Sequence, residues 1–237
     1  MQEIKTDFDP SIINPFYIIR KALLKNIRKF SGNLSGRLMD FGCGSKPYKS
    51  LFNTTEYIGV DFENGGHPHD NEQIDVYYDG KKLPFENQYF DSVLCTEVVE
   101  HVFALIDTLN EINRVMKTGG NILITCPFVW NEHEVPFDYA RYTRFALKDI
   151  LEKSGFEITH FAKSGNFITT ITQLKVIYFY TAFGEWWYKY FLSRIIFKFL
   201  FVLVPNSIGL LLNKIYPNND SLYLNNVLIA KKTRDAK

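Results

Sequence analysis

The chain has 237 residues, 46% hydrophobic and 22% charged, enough to bury one substantial core or one core with an appendage. A formal net charge of +1 argues against electrostatic capture of nucleic acid. Three cysteines, Cys43, Cys95 and Cys126, lie in or beside apolar runs and are odd in number, which predicts a reduced, cytoplasmic protein instead of a disulfide framework. The opening "MQEIKTDFDP" has neither the apolar stretch nor the cleavage site of a secretory signal, so none is expected.

In chain order, "NPFYIIRKALLKNIRKF" (14–30) comes first, a basic amphipathic helix with no acid between Asp9 and Asp40. Five short runs rich in β-branched and aromatic residues then read as strands: "RLMDF" (37–41), "YIGVD" (57–61), "IDVYY" (74–78), "DSVLC" (91–95) and "NILIT" (121–125). Between the last two, Val102, Leu105, Ile106, Leu109, Ile112 and Met116 recur at helical spacing, and "TGG" is expected to stop that helix. A second helix starts at Thr143 as N-cap, buries Ala146, Leu147, Ile150 and Leu151, and ends at "SGF" before the strand-like "FEITHF". Strands separated by crossovers imply a parallel sheet covered by helices.

In such sheets ligands bind beyond the carboxyl ends of the strands, where the strand order reverses. The loop "LMDFGCGSKPY" (38–48) is expected there, with Gly42 and Gly44 letting the backbone turn tightly and approach a ligand. Asp61 ends the next strand, well placed for ribose hydroxyls. Pro47, however, has no N–H and would deprive a pyrophosphate of a backbone donor. The loop therefore suits a nucleoside without phosphates.

The run Asp40, Gly42, Cys43, Gly44, then "YIGVD", "DGKKLPFENQYFDSVLCTEVVEHV" and "EINRVMKTGGNILITCP", resembles the class I S-adenosylmethionine-dependent methyltransferases, in particular the group related to ubiquinone and menaquinone methyltransferases. The resemblance covers residues 36–165 and returns at "LYLNNVLIAKK" (222–232). It implies an α/β, Rossmann-like, seven-stranded and mostly parallel sheet with an antiparallel last strand and helices on both faces. It also implies S-adenosylmethionine as cofactor. Asp40 matches the acid that orients the methionine ammonium, Asp61 and Phe62 the ribose and adenine positions, Asp79 and Gly80 the pair at the adenine edge, and Thr96 and Glu97 the wall of the methionine pocket. The family's third loop glycine is missing, and Lys46 in its neighbourhood is expected near the methionine carboxylate.

Methyl transfer asks mainly for orientation and desolvation, and a hydroxyl acceptor also wants a general base. The stretch "PFVWNEHEVPFDYARYT" (127–143) gathers His133, Asp138 and Arg141 after the fifth strand. His133 is the candidate base because its ordinary pKa lies near neutrality, while Asp138 and Arg141 either join it or pair to hold the loop. His101, in "VVEHV", faces the acceptor or caps its helix. "HPHD" (67–70) lacks a convergent second pair of ligands, and no metal is expected.

Residues 166–219 form a hydrophobic, helical insert before the last strand, in which Glu185 is the only acid. Its longest uncharged run, 199–213, falls short of a membrane span and contains Pro205 and Asn206. The expected organisation is an N-terminal amphipathic helix or lid (1–33), a core (34–165 and 220–237) and the insert (166–219). A lid, a homodimer interface and membrane-surface docking compete for the insert, and the covered alternatives are favoured. The expected activity is O-methylation of a small-molecule, glycan or lipid-linked acceptor in the cytoplasm, or at the inner face of the membrane. The alternatives are a quinone or other polyprenylated acceptor, or a binding protein that keeps the cofactor without the chemistry.

Overall fold

The computed structural model describes residues 7–62 and 73–236. The "HPHD" stretch lies outside them. After helix α1 (Tyr17–Phe30), strand β1 (Arg37–Phe41) runs through the core; Leu38 to Phe41 are all buried, as a central parallel strand covered on both faces requires. Strands β2 (Glu56–Phe62), β3 (Val76–Tyr78) and β4 (Phe90–Thr96) follow, and β1 pairs in parallel with both β2 and β4.

Helix α2 (Leu105–Val115) buries Leu105, Thr108, Leu109, Ile112, Asn113 and Val115. It stops sooner than the glycine pair suggests, because Met116 already begins the long strand β5 (Met116–Pro127). Gly119 and Gly120 sit inside that strand, and a Cβ on Gly120 would stand 2.6 Å from the Asp91 carbonyl oxygen. That glycine answers to a close backbone approach from β4, not to a helix end. Thr143 caps helix α3 (Arg144–Lys153), its hydroxyl accepting the Ala146 N–H at 3.3 Å.

Strand β6 (Phe156–Ser164) leads into helix α4 (Phe167–Tyr188), helix α5 (Phe191–Phe197), a π-helical turn (Lys198–Leu203) and helix α6 (Val204–Ile215), before strand β7 (Asn225–Lys232) closes the chain. The seven strands order as β3-β2-β1-β4-β5-β7-β6. Strands β6 and β7 run antiparallel: Leu224 N–H reaches Ser164 O at 2.8 Å while Thr233 N–H reaches Gly155 O at 3.0 Å. The order reverses on either side of β1, so the loops after β1 and β4 flank the crevice that such sheets use.

By internal contacts the chain divides into two compact units, residues 27–162 with 226–237, and residues 4–26 with 163–225. In the first, the fully buried Lys232 donates to the carbonyls of Asn113 (2.9 Å) and Met116 (3.0 Å) and pairs with Asp235 (2.7 Å), so its charge is compensated where it leaves water. In the second, Asn166 and Thr169 form a capping box at the start of α4. Gly209 of α6 lies against α4, where a Cβ would meet Thr172 Oγ1 at 2.3 Å. The buried Gln173 donates to Pro15 O (2.7 Å) and accepts from Ile19 N–H (3.0 Å), and the buried Asn206 donates to Ile12 O (2.9 Å), so both helices grip the N-terminal segment.

One expectation for the insert does not hold. Backbone conformation stays helical through Lys198 and Val204, so α5, the π turn and α6 join into one stretch, Phe191–Ile215, of 25 residues, long and apolar enough by length and composition to cross a membrane. Counting uncharged residues ends the run at Lys198 and Lys214, whereas the helix passes through the first and includes Arg194. Among the described residues, Phe191, Leu192, Phe199, Leu211 and Ile215 of this stretch are all more than half exposed.

Candidate functional site

The loop after β1 is built by its own backbone. Gly42 N–H and Cys43 N–H both donate to Val60 O (2.8 and 3.2 Å), and Gly44 N–H donates to Asp61 Oδ2 at 2.7 Å. Gly42 adopts φ 72°, the left-handed region, and any Cβ there would stand 2.2 Å from Val98 Cγ2. This contact draws the loop after β1 against the loop after β4.

Asp40 is fully buried at the end of β1, with the Tyr57 hydroxyl donating to its Oδ2 at 2.6 Å. Burial pushes its carboxyl up to about 7 against that hydrogen bond, with help from nearby Asp61. Asp61 accepts the Gly44 and Phe62 N–H groups (2.7 and 2.8 Å), so it organises the loop at the place where a ribose diol is expected. Phe62 is half exposed and lies over Gly80, where a Cβ would meet its Cε2 at 2.7 Å. Asp79, beside it, caps a turn by accepting from Lys81 and Lys82 N–H (2.9 and 3.1 Å), which lowers its pKa. Thr96 ends β4, and Glu97 follows at φ 56°, fastened by Thr125, whose hydroxyl donates to Glu97 Oε1 at 2.8 Å.

Lys46 is paired with an acid of the chain itself. Its buried ammonium lies 2.5 Å from Asp75 Oδ2, and its side chain fills the space above Gly59, where a Cβ would meet Lys46 Cε at 2.2 Å. Asp75 also accepts Gly59 N–H at 2.7 Å. In the sequence Asp75 reads as part of the strand-like run 74–78, and its spacing from a buried lysine carries no local signal. The loop's lysine is thus neutralised from below, and four acids, Asp40, Asp61, Asp79 and Glu97, stand at the carboxyl ends of the strands or in the turns after them. That arrangement suits a phosphate-free nucleoside carrying positive charge, and repels a pyrophosphate.

The segment after β5 forms a second cluster. Arg141 grips both oxygens of the nearly buried Asp138 (2.6 and 2.7 Å), holding that carboxyl down to about 2, and also donates to Asn131 O at 2.9 Å. Asp138 Oδ2 in turn accepts His133 N–H at 3.0 Å. Both residues are therefore committed to holding the loop that presents His133. That imidazole is half-buried, and desolvation, then His101, lowers its pKa against the pull of Asp138, so it stands neutral near pH 7.

His101, in the 3₁₀ turn Val99–His101 after β4, faces it: the two Nε2 atoms are 3.1 Å apart, with the rings crossed at 80°. His101 Nδ1 lies 2.9 Å from Phe137 O, and Tyr139 N–H donates to Glu100 O at 2.8 Å, so the segment after β5 docks directly on this turn. Glu100 lies under the pair, fully buried, and neither of its carboxylate oxygens has a hydrogen-bond partner. Burial, then the nearby Glu97, raises its pKa well above the carboxylate range. Both histidines stand out in the sequence, whereas Glu100 in "VVEHV" looks like an ordinary helix-start acid that only its burial distinguishes.

A family model described as a methyltransferase domain matches residues 17–161. A demethylmenaquinone methyltransferase of Staphylococcus saprophyticus is 33% identical over 116 residues, covering 44% of this chain and 48% of that protein. The chain therefore spans about half the length of that curated relative. Among solved structures, a SAM-dependent methyltransferase from Archaeoglobus fulgidus matches with a TM-score of 0.53 at 20% identity, covering 96% of this chain and 97% of its own. Phosphoethanolamine N-methyltransferase 2 of Haemonchus contortus, in complex with S-adenosyl-L-methionine, matches with a TM-score of 0.51 at 18% identity, covering 99% of this chain and 61% of that one. At these identities the structural likeness is one of fold.

Proposed function

The chain belongs to the methyltransferase domain family, and from that premise we propose that it transfers the methyl group of S-adenosylmethionine to an oxygen of a small-molecule, glycan or lipid-linked acceptor. The observation that carries the reading is the charge arrangement at the strand ends: acids at Asp40, Asp61, Asp79 and Glu97, and a loop lysine already paired with Asp75. This donor set fits the cofactor, which offers an ammonium, a sulfonium, a ribose diol and no phosphate. Bound there, S-adenosylmethionine supplies an activated methyl group, and the residues of the chain bind and orient it.

In this reading Asp61 accepts the ribose hydroxyls, Phe62 and Gly80 flank the adenine with Asp79 at its edge, and Asp40 with Glu97 attracts the ammonium end. The backbone of Gly42, Cys43 and Gly44 shapes the approach. Lys46 acts from beneath, holding Asp75 and the floor of the loop. The acceptor end belongs to His133 and His101, presented by the Asp138–Arg141 clamp. A hydroxyl acceptor must lose a proton as the methyl group arrives, and this imidazole pair is the polar group best placed to assist.

A quinone or other polyprenylated acceptor is the second reading, favoured by the exposed apolar face of α5 and α6 and by the exposed Lys189 and Arg194 beside it. Such a face suits docking on the inner surface of a membrane from the cytoplasm. Incubation with labelled S-adenosylmethionine and either water-soluble or lipid-soluble cell extract tests both. Label in a hydroxyl-bearing soluble product supports the first reading and label in a lipid-soluble one the second. Cofactor binding with no transfer in either extract would leave a non-catalytic binding protein.

A further inference from the structure

We propose that Glu100, His101 and His133 form a binding site for a divalent transition-metal cation of the zinc class. Their ligating atoms all lie within 4.8 Å of one another. The two imidazole Nε2 atoms are 3.1 Å apart, and Glu100 Oε1 stands 3.8 Å from that of His101 and 3.9 Å from that of His133. Two imidazoles bound to one tetrahedral zinc place their nitrogens about 3.3 Å apart, given zinc–nitrogen bonds of about 2.0–2.1 Å. The histidines already have that spacing, and the carboxylate needs to close by about half an ångström to reach the bond lengths of such a site.

The surroundings orient both rings for this task. His101 Nδ1 lies 2.9 Å from Phe137 O, which only accepts, so Nδ1 carries the hydrogen and Nε2 presents its lone pair to His133. His133 Nδ1 lies 3.3 Å from both Asn131 O and Asp138 Oδ2, which accept, and 3.4 Å from Arg141 Nη2, which donates; with its hydrogen on Nδ1 the ring presents a second lone pair on Nε2. A backbone carbonyl behind one ring and a carboxylate behind the other are the supports that metal-bound histidines characteristically have. In that tautomer the two facing lone pairs call for a cation between them, whereas without a cation an Nε2–H on His133 can donate to His101.

Glu100 is the independent observation. Its carboxylate is fully buried, faces the two Nε2 atoms, and lacks any hydrogen-bond partner for either oxygen. A buried carboxyl group without any hydrogen-bond partner is costly, and a cation in this position would take the place of its proton and satisfy both oxygens. Two neutral nitrogens and one carboxylate, with no thiolate, form a donor set for zinc, iron(II), cobalt(II) or manganese(II). Glu134 Oε2, 3.6 Å from His101 Nε2, stands at the rim, so a further coordination position remains for water or a ligand oxygen.

Resting on the methyl-transfer reading, the open position would take an oxygen of the acceptor and lower the pKa of a hydroxyl there, making the histidines cation ligands instead of a base. The site thus points to acceptors with an ionisable, cation-binding oxygen, such as phenols and vicinal diols.

The test is a titration of chelator-treated full-length protein with zinc, and separately with cobalt(II). One equivalent is expected to bind, with visible ligand-field absorption for cobalt(II). Glu100→Gln, His101→Ala and His133→Ala should each weaken binding by about tenfold or more. Where a variant does not fold, the wild-type protein still decides: zinc should shift the imidazole nitrogen resonances of both histidines. Wild-type binding no tighter than that of the folded variants, or imidazole resonances unmoved by zinc, overturns the proposal in favour of a proton shared between the rings. S-adenosylhomocysteine binding, measured in the same samples without added metal, reports on the methyl-transfer reading separately.

Discussion

The Lys46 ammonium lies 2.5 Å from Asp75 Oδ2, with the lysine stem packed over Gly59, so the one cation of the glycine-rich loop is spent inside the protein. Because the lysine is buried and its partner is half exposed, the pair is part of the loop's foundation. Lys46→Ala should lower stability by about 1–3 kcal/mol, the usual cost of stranding a charged hydrogen-bond partner, while affinity for S-adenosylhomocysteine falls far less than with Asp61→Ala. Denaturant melts and calorimetry check this. Unchanged stability with a large loss of affinity would put the ammonium on the ligand.

Asp40 gives a pH dependence of known sign. Its carboxyl is raised to about 7 by burial, and a ligand ammonium favours the ionised form, so below that pH binding must release a proton. Affinity for S-adenosylhomocysteine should be level above about pH 7 and fall by up to about tenfold per unit below it. Asp40→Asn should flatten the profile. A wild-type affinity independent of pH between 5 and 8 would remove Asp40 from contact with the ligand's charge.

His133→Ala should slow methyl transfer by about a hundredfold or more and leave cofactor affinity nearly intact, since the residue serves the acceptor end. Asp138→Asn should act in the same direction through the loop, because the Arg141 clamp loses its charge. Rapid-quench turnover alongside cofactor titration separates the two effects. A small rate loss for His133→Ala would mean that acceptor activation needs neither its proton affinity nor its lone pair.

The helical stretch Phe191–Ile215 should bind anionic vesicles, with Lys189, Arg194 and Lys198 each adding about 1 kcal/mol near the surface and rising salt weakening the interaction. Flotation at low and high salt, on wild-type protein and on a Phe191→Ala/Phe199→Ala variant, reads this out. Protein that ignores vesicles and sediments as a dimer would assign the face to a second copy of the chain.

Much of the sheet was legible because its signals are local. Leu38, Met39 and Phe41 around Asp40, Val93 to Cys95 and Ile122 to Ile124 are largely apolar runs bounded by turn residues, and Thr143 announces its helix by residue type alone. The strand order and Val98 behind Gly42 involve distant segments and carry no such local mark. Asp75 reaches Lys46 across 29 positions, and Glu100 is set apart only by the packing that buries it. The insert differs for another reason: charge counting treats Lys198 as an end, whereas the backbone stays helical through it.

The most direct measurement of the central claim is calorimetry of S-adenosylhomocysteine against NAD, on wild-type protein and on Asp61→Ala. The account predicts one S-adenosylhomocysteine site per chain, no NAD binding, and a loss of about 2 kcal/mol or more, roughly thirtyfold, when Asp61 can no longer meet the ribose hydroxyls and the Gly44 N–H. Binding of NAD in preference to S-adenosylhomocysteine, or an affinity indifferent to Asp61, would contradict it.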